Sequence, residues 1–385
     1  MSGVTSPEGF VAAGVACGIK ASGDPDLSLV ATDDGRSVVA AAVFTSNKAT
    51  AGPVNVSRAH LSATSGRAAA VVLNSGCANA ATGATGDADA ERMCELVAAH
   101  LGCAAGEVLV CSTGLIGYYL PMAEVESGIP ALVDARRPDG GAAAAHAIMT
   151  TDTVAKEVSI TVNGYTVGGM AKGAAMLAPD MATMLAVLTT DAVADPDQLL
   201  GQLREAVAAS FNLLVVDGCT STNDTVIVLA NGRSGQPLDT SALTEACTDL
   251  AEQMAADAEG ATKLARIRVH GAASDDDARR AARKVAESQL VQCSLFGEDP
   301  YWGRIVSELG SSGAAFEAGL VSVTYGVVEV CREGIAADHD PAAVAAHMAG
   351  RHVEITADLG LGDGRAAMIF TDLTPAYIDE NRGTS

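Results

Sequence analysis

The sequence predicts a layered α/β protein, a sandwich of sheets and helices, with a second and smaller α/β domain near the C-terminus. Early segments at 27–32, 37–45 and 68–76 are rich in apolar and β-branched residues and end near turn residues, as strands do. Helical segments alternate with these strands only loosely, which favours a layered sandwich over a regular doubly wound sheet. Near residue 236 the pattern changes to a long helix and then a charged one, which indicates the second domain.

The first half of the chain contains further elements that can be assigned from local pattern. Acidic residues near its start favour a helix over 86–101, and a buried strand at 107–114 ends in a Thr-Gly loop. An Ala-rich helix is predicted at about 140–149, and a further strand at 182–192. Asn163-Gly164 lies between two alternating apolar runs and predicts a tight hairpin, because both residues tolerate positive φ.

The second half is assigned in the same way. Asp195 and Pro196 fit the N-cap and first position of a helix. Two strands are predicted on either side of the loop 218–225, and the long helix of the second domain ends in the segment 256–263. The string GLGDG at 360–364 lies between strand-like runs. It predicts a tight turn rather than a nucleotide site, because a dinucleotide fingerprint requires a helix that begins inside the glycine-rich segment.

Composition excludes several classes of function. The 385 residues carry 24 Lys plus Arg against 47 Asp plus Glu, a net charge of −23, which disfavours binding to phosphate backbones. The nine Cys form no CxxC pair and the seven His no HxxxH pair, so neither a disulfide framework nor a metal site is predicted. The N-terminus has no basic signal-peptide region, and no apolar run is long enough to span a membrane. These features predict a cytoplasmic protein that handles small or cationic ligands.

Thr183 stands out in the apolar segment 172–192, KGAAMLAPDMATMLAVLTTDA. An internal Thr is a poor nucleophile, but a Thr at a chain N-terminus can use its own α-amine as a general base. The hydroxyl could create that terminus by attacking the carbonyl of Ala182, followed by an N-to-O acyl shift and hydrolysis of the ester. On these residues alone, a buried Thr in a core strand is the favoured interpretation, since Ala-Thr pairs are common.

The segment 172–192 closely resembles the cleavage segment of the ornithine acetyltransferase family, the bifunctional glutamate N-acetyltransferases of arginine biosynthesis. Seven further segments resemble that family in the same order along the whole chain: GFVAAGVACGIKASGDPDLSLV, VVLNSGCANAATG, VCSTGLIGYYLPM, AHAIMTTD, STNDTVIVLANG, DAEGATK and LFGEDPYWGR. Eight collinear segments favour a nucleophilic Thr183 over a structural one.

The resemblance implies an αββα-type sandwich with a smaller C-terminal domain. It also implies cleavage between Ala182 and Thr183, which gives an α chain 1–182 and a β chain 183–385 that assemble as an α2β2 heterotetramer. Residues 183–235 would complete the first domain, and residues from about 236 to 385 would form the smaller one. The expected reaction moves an acetyl group from N2-acetyl-L-ornithine to L-glutamate through acetyl-Thr183, releases ornithine and N-acetylglutamate, and needs no cofactor. Acetyl-CoA as an additional donor is left open.

The family's site residues fall on chemically suitable positions of this sequence. Thr113 and Gly114 match an oxyanion hole, where a hydroxyl and a backbone N–H would each donate to a developing oxyanion. Thr183 is again the nucleophile. The positions that match substrate contacts are Thr150, Lys172, Thr183, Glu259, Asn381 and Ser385. Lysine suits an α-carboxylate and glutamate suits an ornithine amine, and an acid in the last turn of a helix, where Glu259 is expected, is opposed by the helix dipole.

Two departures from the family keep other functions open. Tyr301 stands where the family usually has Asn. The chain ends in ENRGTS, which keeps Asn381 but has a shorter tail after it than usual, so Ser385 matches the terminal contact only approximately. A paralogue with another donor or acceptor in secondary metabolism is one alternative. A self-cleaving amidohydrolase or aminopeptidase, which passes the acyl group to water, is a second. An uncleaved binding or scaffold protein is a third.

Overall fold

The computed structural model describes residues 3–178 and 184–382. These residues form two compact units. The larger unit comprises residues 3–176, 184–212 and 219–254, and the smaller one residues 177–178, 213–218 and 255–382. The main part of the smaller unit begins at Ala255, later than the change of sequence pattern near residue 236. The reason is that the long helix Thr240–Ala256 belongs almost entirely to the larger unit.

The strands in the described part of the chain are β1 (Phe10–Val15), β2 (Leu27–Thr32), β3 (Val38–Phe44), β4 (Arg67–Ala68), β5 (Ala70–Asn74), β6 (Val108–Ser112), β7 (Lys156–Val162), β8 (Tyr165–Lys172), β9 (Leu185–Thr190), β10 (Leu214–Val215), β11 (Thr225–Ala230), β12 (Leu264–Ala272), β13 (Ser322–Tyr325), β14 (Val328–Arg332), β15 (Ile335–Ala336), β16 (His352–Asp358) and β17 (Gly364–Thr371).

The α-helices in the same part are α1 (Gly52–Ala63), α2 (Gly83–Leu101), α3 (Met122–Asp134), α4 (Gly141–Ala147), α5 (Pro196–Ala208), α6 (Thr240–Ala256), α7 (Asp275–Ala286), α8 (Gln289–Phe296), α9 (Trp302–Ser311), α10 (Pro341–Met348) and α11 (Pro375–Glu380). Short 3-10 helices occupy Gly3–Thr5, Ala105–Glu107, Phe211–Leu213 and Ala318–Leu320.

The larger unit is built around two stacked sheets. One has the order β1-β2-β5-β6 and the other β4-β3-β11-β9-β8-β7, and an apolar layer contributed by both sheets lies between them. Helices α2 and α3 pack on the outer face of the first sheet. On the second sheet, α5 packs against β3, and Leu250 of α6 reaches Gly169 of β8. The mixed α/β class and its helix–sheet–sheet–helix layering are therefore confirmed.

The local patterns produce the elements that the sequence predicts in this unit. Asn163 and Gly164 form the β7–β8 turn with φ of 51° and 81°. The Asp195 side chain accepts from the Asp197 N–H at 2.8 Å and caps α5, with Pro196 at its first position. Within the predicted segment 182–192, the described strand β9 pairs with both β8 and β11, so the chain after the proposed cleavage point enters the centre of the sheet.

The smaller unit contains a seven-stranded mixed sheet in the order β10-β17-β12-β16-β13-β14-β15. Helix α7 packs against β12 and β17 through an Ala- and Val-rich buried face. The GLGDG string bends between β16 and the first residue of β17, with Gly360 at φ 65°, and the helix that a dinucleotide site requires does not begin within it. Within the described residues, no helix is both long enough and apolar enough to cross a membrane.

Candidate active site

The predicted oxyanion residues follow the buried strand β6 directly. Thr113 is 5% exposed, and its backbone N–H donates to the Asn74 carbonyl oxygen at 3.0 Å. Gly114 has φ of 127°, and a Cβ placed there would lie 2.3 Å from the carbonyl carbon of Gly76. Any larger residue would have to move the backbone at Gly76, so glycine is required for this close approach. The sequence therefore builds a tight loop in which the Thr113 side chain is followed directly by the Gly114 backbone amide.

Buried polar side chains hold this loop in place through hydrogen bonds. The Ser112 hydroxyl donates to Asn74 Oδ1 at 2.5 Å, and Asn74 Nδ2 donates to the Cys77 carbonyl oxygen at 2.8 Å. Asn223, from the loop before β11, donates through Nδ2 to the carbonyl oxygens of Ala78 at 2.6 Å and Ser112 at 2.9 Å. Because a satisfied buried network is rigid, the position of Thr113 is set by these amides.

Thr150 and Lys172, two of the predicted substrate contacts, form a hydrogen bond with each other. Lys172 is 3% exposed, and its Nζ donates to Thr150 Oγ1 at 2.7 Å. Asp152 joins them, with Oδ2 at 3.8 Å from Lys172 Nζ and Oδ1 at 2.6 Å from Lys156 Nζ. The carboxylate also accepts the backbone N–H groups of Gly173 at 2.7 Å and Thr150 at 3.0 Å.

The electrostatics of this cluster favour an anionic ligand. Burial disfavours the charged form of Asp152, but the charges of Lys172 and Lys156 and the hydrogen bonds outweigh it and lower the pKa of Asp152 to about 2. Two buried ammonium groups therefore face one carboxylate. Lys20, whose Nζ donates to the Met149 carbonyl oxygen at 2.8 Å, has its pKa lowered by burial and by the charge of Lys172, although Asp26, Asp24 and Asp152 oppose the shift. The excess positive charge suits a carboxylate of the substrate.

Asp224 lies at the start of the central strands. It is fully buried, and its Oδ1 accepts the backbone N–H of Met184 at 2.8 Å. Burial raises the pKa of Asp224 well above its usual range, against the opposing effects of the Met184 and Ser221 hydrogen bonds and the Lys172 charge. Met184 is the residue that follows Thr183. Thr183 and Ala182 themselves lie outside the described residues.

In the smaller unit, the predicted contacts Glu259 and Asn381 meet. Asn381 Nδ2 donates to Glu259 Oε2 at 2.7 Å and to the Tyr377 carbonyl oxygen at 2.9 Å. Glu259 is 8% exposed and lies in the turn after α6, which ends at Ala256. The expectation that Glu259 occupies the last turn of the helix is therefore wrong, and burial in a turn, rather than an unfavourable helix dipole, is what sets it apart.

The two positions at which the sequence departs from the family differ in what the structure says of them. Tyr301 is exposed at the N-cap of α9, where the Arg304 guanidinium lies 6.0 Å from its ring centre. Ser385 lies outside the described residues. Among the residues that the structure describes, no group of His, Cys, Asp and Glu side chains could hold a metal ion.

Sequence reasoning did not identify Asp152, Lys156, Asn223 or Asp224. Asp152 is the last residue of the segment AHAIMTTD, and Asn223 and Asp224 lie in the segment STNDTVIVLANG. All three residues therefore stand within segments that resemble the family. A possible signal was the presence of polar residues directly before or after fully apolar strand segments. Nothing in the sequence distinguishes such residues from solvated loop residues until burial is known.

Comparison with known proteins shows which family the chain belongs to. The model of the ArgJ family matches residues 11–383. The arginine biosynthesis bifunctional protein ArgJ of Thermobifida fusca is 49% identical over 99% of both chains, and that of Mycobacterium tuberculosis H37Rv is 48% identical over 100% of this chain and 96% of its own.

Two solved structures are also similar. An ArgJ of Bacillus halodurans is 34% identical with a TM-score of 0.50, and it covers 51% of this chain and 98% of its own. The ornithine acetyltransferase of M. tuberculosis complexed with ornithine is 50% identical with a TM-score of 0.44, covering 46% of this chain and 95% of its own. The resemblance seen in the sequence is thus confirmed: the chain belongs to the ArgJ family and is an acetyltransferase of arginine biosynthesis.

Proposed function

We propose that this chain cleaves itself between Ala182 and Thr183 and then moves an acetyl group from N2-acetyl-L-ornithine to L-glutamate through acetyl-Thr183. One observation carries the proposal. The adjacent residues Asn223 and Asp224 hold, respectively, the carbonyl before Thr113 and the amide after Thr183. A single dipeptide thereby ties the oxyanion loop to the strand that begins next to the nucleophile.

Cleavage would create the base that the reaction needs. The Thr183 hydroxyl attacks the Ala182 carbonyl carbon, the acyl group shifts from nitrogen to oxygen, and water hydrolyses the ester. The products are the Ala182 carboxylate and a free Thr183 α-amine. That amine, with an ordinary pKa of about 7.7–8.0, can take the proton of the neighbouring hydroxyl near neutral pH.

Transfer would follow in two half-reactions. The Thr183 oxygen attacks the acetyl carbonyl of acetylornithine, and the leaving amine takes a proton as ornithine departs. The glutamate amine then attacks the acetyl ester and regenerates the Thr183 hydroxyl. In both tetrahedral intermediates, the Thr113 hydroxyl and the Gly114 N–H would donate to the oxyanion, and one such donor is worth about 3–4 kcal/mol.

Charge supports the proposed substrate contacts. Lys172, held by Thr150 and Asp152, would pair with an α-carboxylate. Glu259, oriented by Asn381, would pair with the side-chain ammonium of ornithine. We assign the terminal Ser385 to the same role as Asn381 on the family match alone.

The length of a relative's chain is consistent with cleavage. Nearly all of the B. halodurans chain is matched, 98%, yet it spans only 51% of this chain. That is the length expected of one cleavage product, since residues 183–385 are about half of the 385 residues. We further propose that the two products pair as an α2β2 heterotetramer, which the mass of the native particle would test. Replacing acetylornithine with acetyl-CoA in the activity assay would test whether the enzyme accepts a second acetyl donor.

The decisive experiment is the intact mass of the purified protein before and after incubation with N-acetylornithine. The wild type should give two chains, with the one that begins at Thr183 gaining a single acetyl group. Thr183→Ala should remain a single unacetylated chain, whereas Thr183→Ser, which keeps a hydroxyl, should still be cleaved. A wild type that stays in one piece would rule the mechanism out. Free acetate in place of acetylglutamate would instead identify an amidohydrolase.

A further inference from the structure

Asp224 has an unusual set of contacts for a fully buried carboxyl group. Oδ1 accepts from the Met184 amide at 2.8 Å, and the nearby Ser221 side chain also acts to lower the pKa of the carboxyl, but none of the described groups has hydrogen-bond geometry to the buried Oδ2. A buried polar atom without a partner is rare in folded proteins and requires an explanation. Asp224 is also not placed by its own turn alone, because its carbonyl oxygen accepts from the Thr45 N–H at 2.9 Å.

The covalent structure next to Asp224 indicates the missing partner. The Met184 nitrogen, which Asp224 already holds, is bonded to the carbonyl carbon of Thr183. Only that carbon and the Thr183 Cα separate it from the nitrogen that cleavage would free. The charge of Lys172 on β8 lowers the pKa of Asp224 only as the smallest of several effects, and Asp224 Oδ2 forms no hydrogen bond with it. The nitrogen that cleavage would free is therefore only a few covalent bonds from the Met184 nitrogen that Asp224 holds.

We propose that Asp224 is the positioning residue for the Thr183 α-amine, with Oδ1 fixing the Met184 amide and Oδ2 pairing with the amine after cleavage. The inference rests on the proposed function. When the bond breaks, the carboxyl proton passes to the new amine, which leaves a carboxylate beside an ammonium. Before each acylation that ammonium gives its proton to solvent, so that the neutral amine can take the Thr183 hydroxyl proton, and the carboxylate then stabilises the ammonium that forms again.

Asp224→Asn tests the pairing. The amide can still accept the Met184 N–H through its oxygen but presents an uncharged NH2 group in place of Oδ2. The variant should be cleaved, and its kcat should fall about 10²-fold, a typical contribution of a positioned acid–base group, with KM changed less than about twofold. A carboxylate raises the pKa of a neighbouring ammonium, so its removal should move the acidic limb of the kcat/KM profile about one pH unit lower.

Asp191→Asn is the matched control. Asp191 is also buried in the larger unit at the opposite end of β9, and it too accepts a backbone amide, that of Thr166, at 2.8 Å. The kcat/KM profile of Asp191→Asn against pH should keep the acidic limb of the wild type. Asp224→Ser, which is smaller and uncharged, should reproduce the shift of Asp224→Asn.

The outcomes separate this proposal from the function itself. A wild type that is uncleaved or inactive would contradict the function. If the wild type is cleaved and active, an unshifted acidic limb in both Asp224 variants would overturn the pairing. So would a folded Asp224→Asn that is not cleaved, because the proposal gives the carboxylate no part before the amine exists. Failure of both variants to fold would assign Asp224 to stability alone and also overturn it.

Discussion

The candidate site residues of the two units are held in different ways. In the larger unit, Lys172 and Lys156 share the Asp152 carboxylate, all three are nearly or wholly buried, and backbone amides complete the cluster. In the smaller unit, Glu259 is oriented by Asn381, a residue exposed at the end of the short helix α11. One region is preorganised by buried charges, none of which can be removed without disturbing the others. The other is a simple pair.

This difference separates two kinds of effect that are often confused in mutagenesis. A change in the buried cluster must affect stability and activity together, because an uncompensated buried charge is costly. A change in the Glu259–Asn381 pair should affect substrate recognition with little effect on folding, because Asn381 can turn to water.

Asp152→Asn should have the largest effect. It leaves two buried ammonium groups without their carboxylate, and breaking such a buried pair costs about 3–5 kcal/mol of folding free energy. Urea unfolding at pH 7 measures the loss. Asp191→Asn, whose carboxylate is bound by backbone amides, should lose less.

The pH dependence of stability provides an independent check on the same cluster. The folded pKa of Asp152 is lowered to about 2, below the unfolded value of about 3.9. Its contribution to stability is therefore complete above pH ~4 and disappears as the pH falls towards ~2. The difference in unfolding free energy between wild type and Asp152→Asn should narrow across that window. A difference that is constant from pH 7 to 2 would contradict the assigned pKa.

Gly114→Ala should have the second-largest effect, and it should lower catalytic activity more than folding stability. The added Cβ meets the Gly76 backbone at 2.3 Å, and φ of 127° is unfavourable for alanine. The loop must shift, which misplaces the amide proposed for the oxyanion. Loss of one such donor lowers kcat about 10²–10³-fold. Gly117→Ala, at φ 88° in the same loop but with open space around it, is the control for backbone strain alone. Equal losses in both variants would remove the oxyanion role.

The sequence was informative where chemistry is local. The Asn163-Gly164 turn, the Asp195 cap and the apolar strands are specified by neighbouring residues, and the resemblance supplied Thr113, Lys172 and Glu259 as positions. The partners of those residues could not be predicted, because they come from distant parts of the chain. Asp152 meets Lys172 only after β7 and β8 pair, and Asn223 meets Ser112 only when β11 and β6 are placed in their sheets. Loop residues such as Asp224 look solvated until burial is known.

Glu259→Gln should have the smallest effect on folding and a selective effect on catalysis. Gln keeps the side-chain oxygen that accepts from Asn381, so the unfolding free energy should change by less than about 0.5 kcal/mol, the range of substitutions outside critical contacts. The negative charge proposed to bind the ornithine ammonium is lost, and hydrogen bonds to charged groups are worth about 1.5–3 kcal/mol. The kcat/KM for acetylornithine should therefore fall about 10–100-fold.

Glu298→Gln is the matched control for Glu259→Gln within the smaller unit. Glu298 also forms one close polar contact, an ion pair with Lys263 at 2.7 Å, but about half of its side chain is exposed. Its removal should leave kcat/KM unchanged, because exposed pairs contribute little and Glu298 has no proposed contact with substrate. Similar losses of kcat/KM in both variants would show that general charge, rather than the oriented Glu259, attracts the cationic substrate. A loss of stability in Glu259→Gln as large as in Asp152→Asn would show that the two units hold their site residues in the same way.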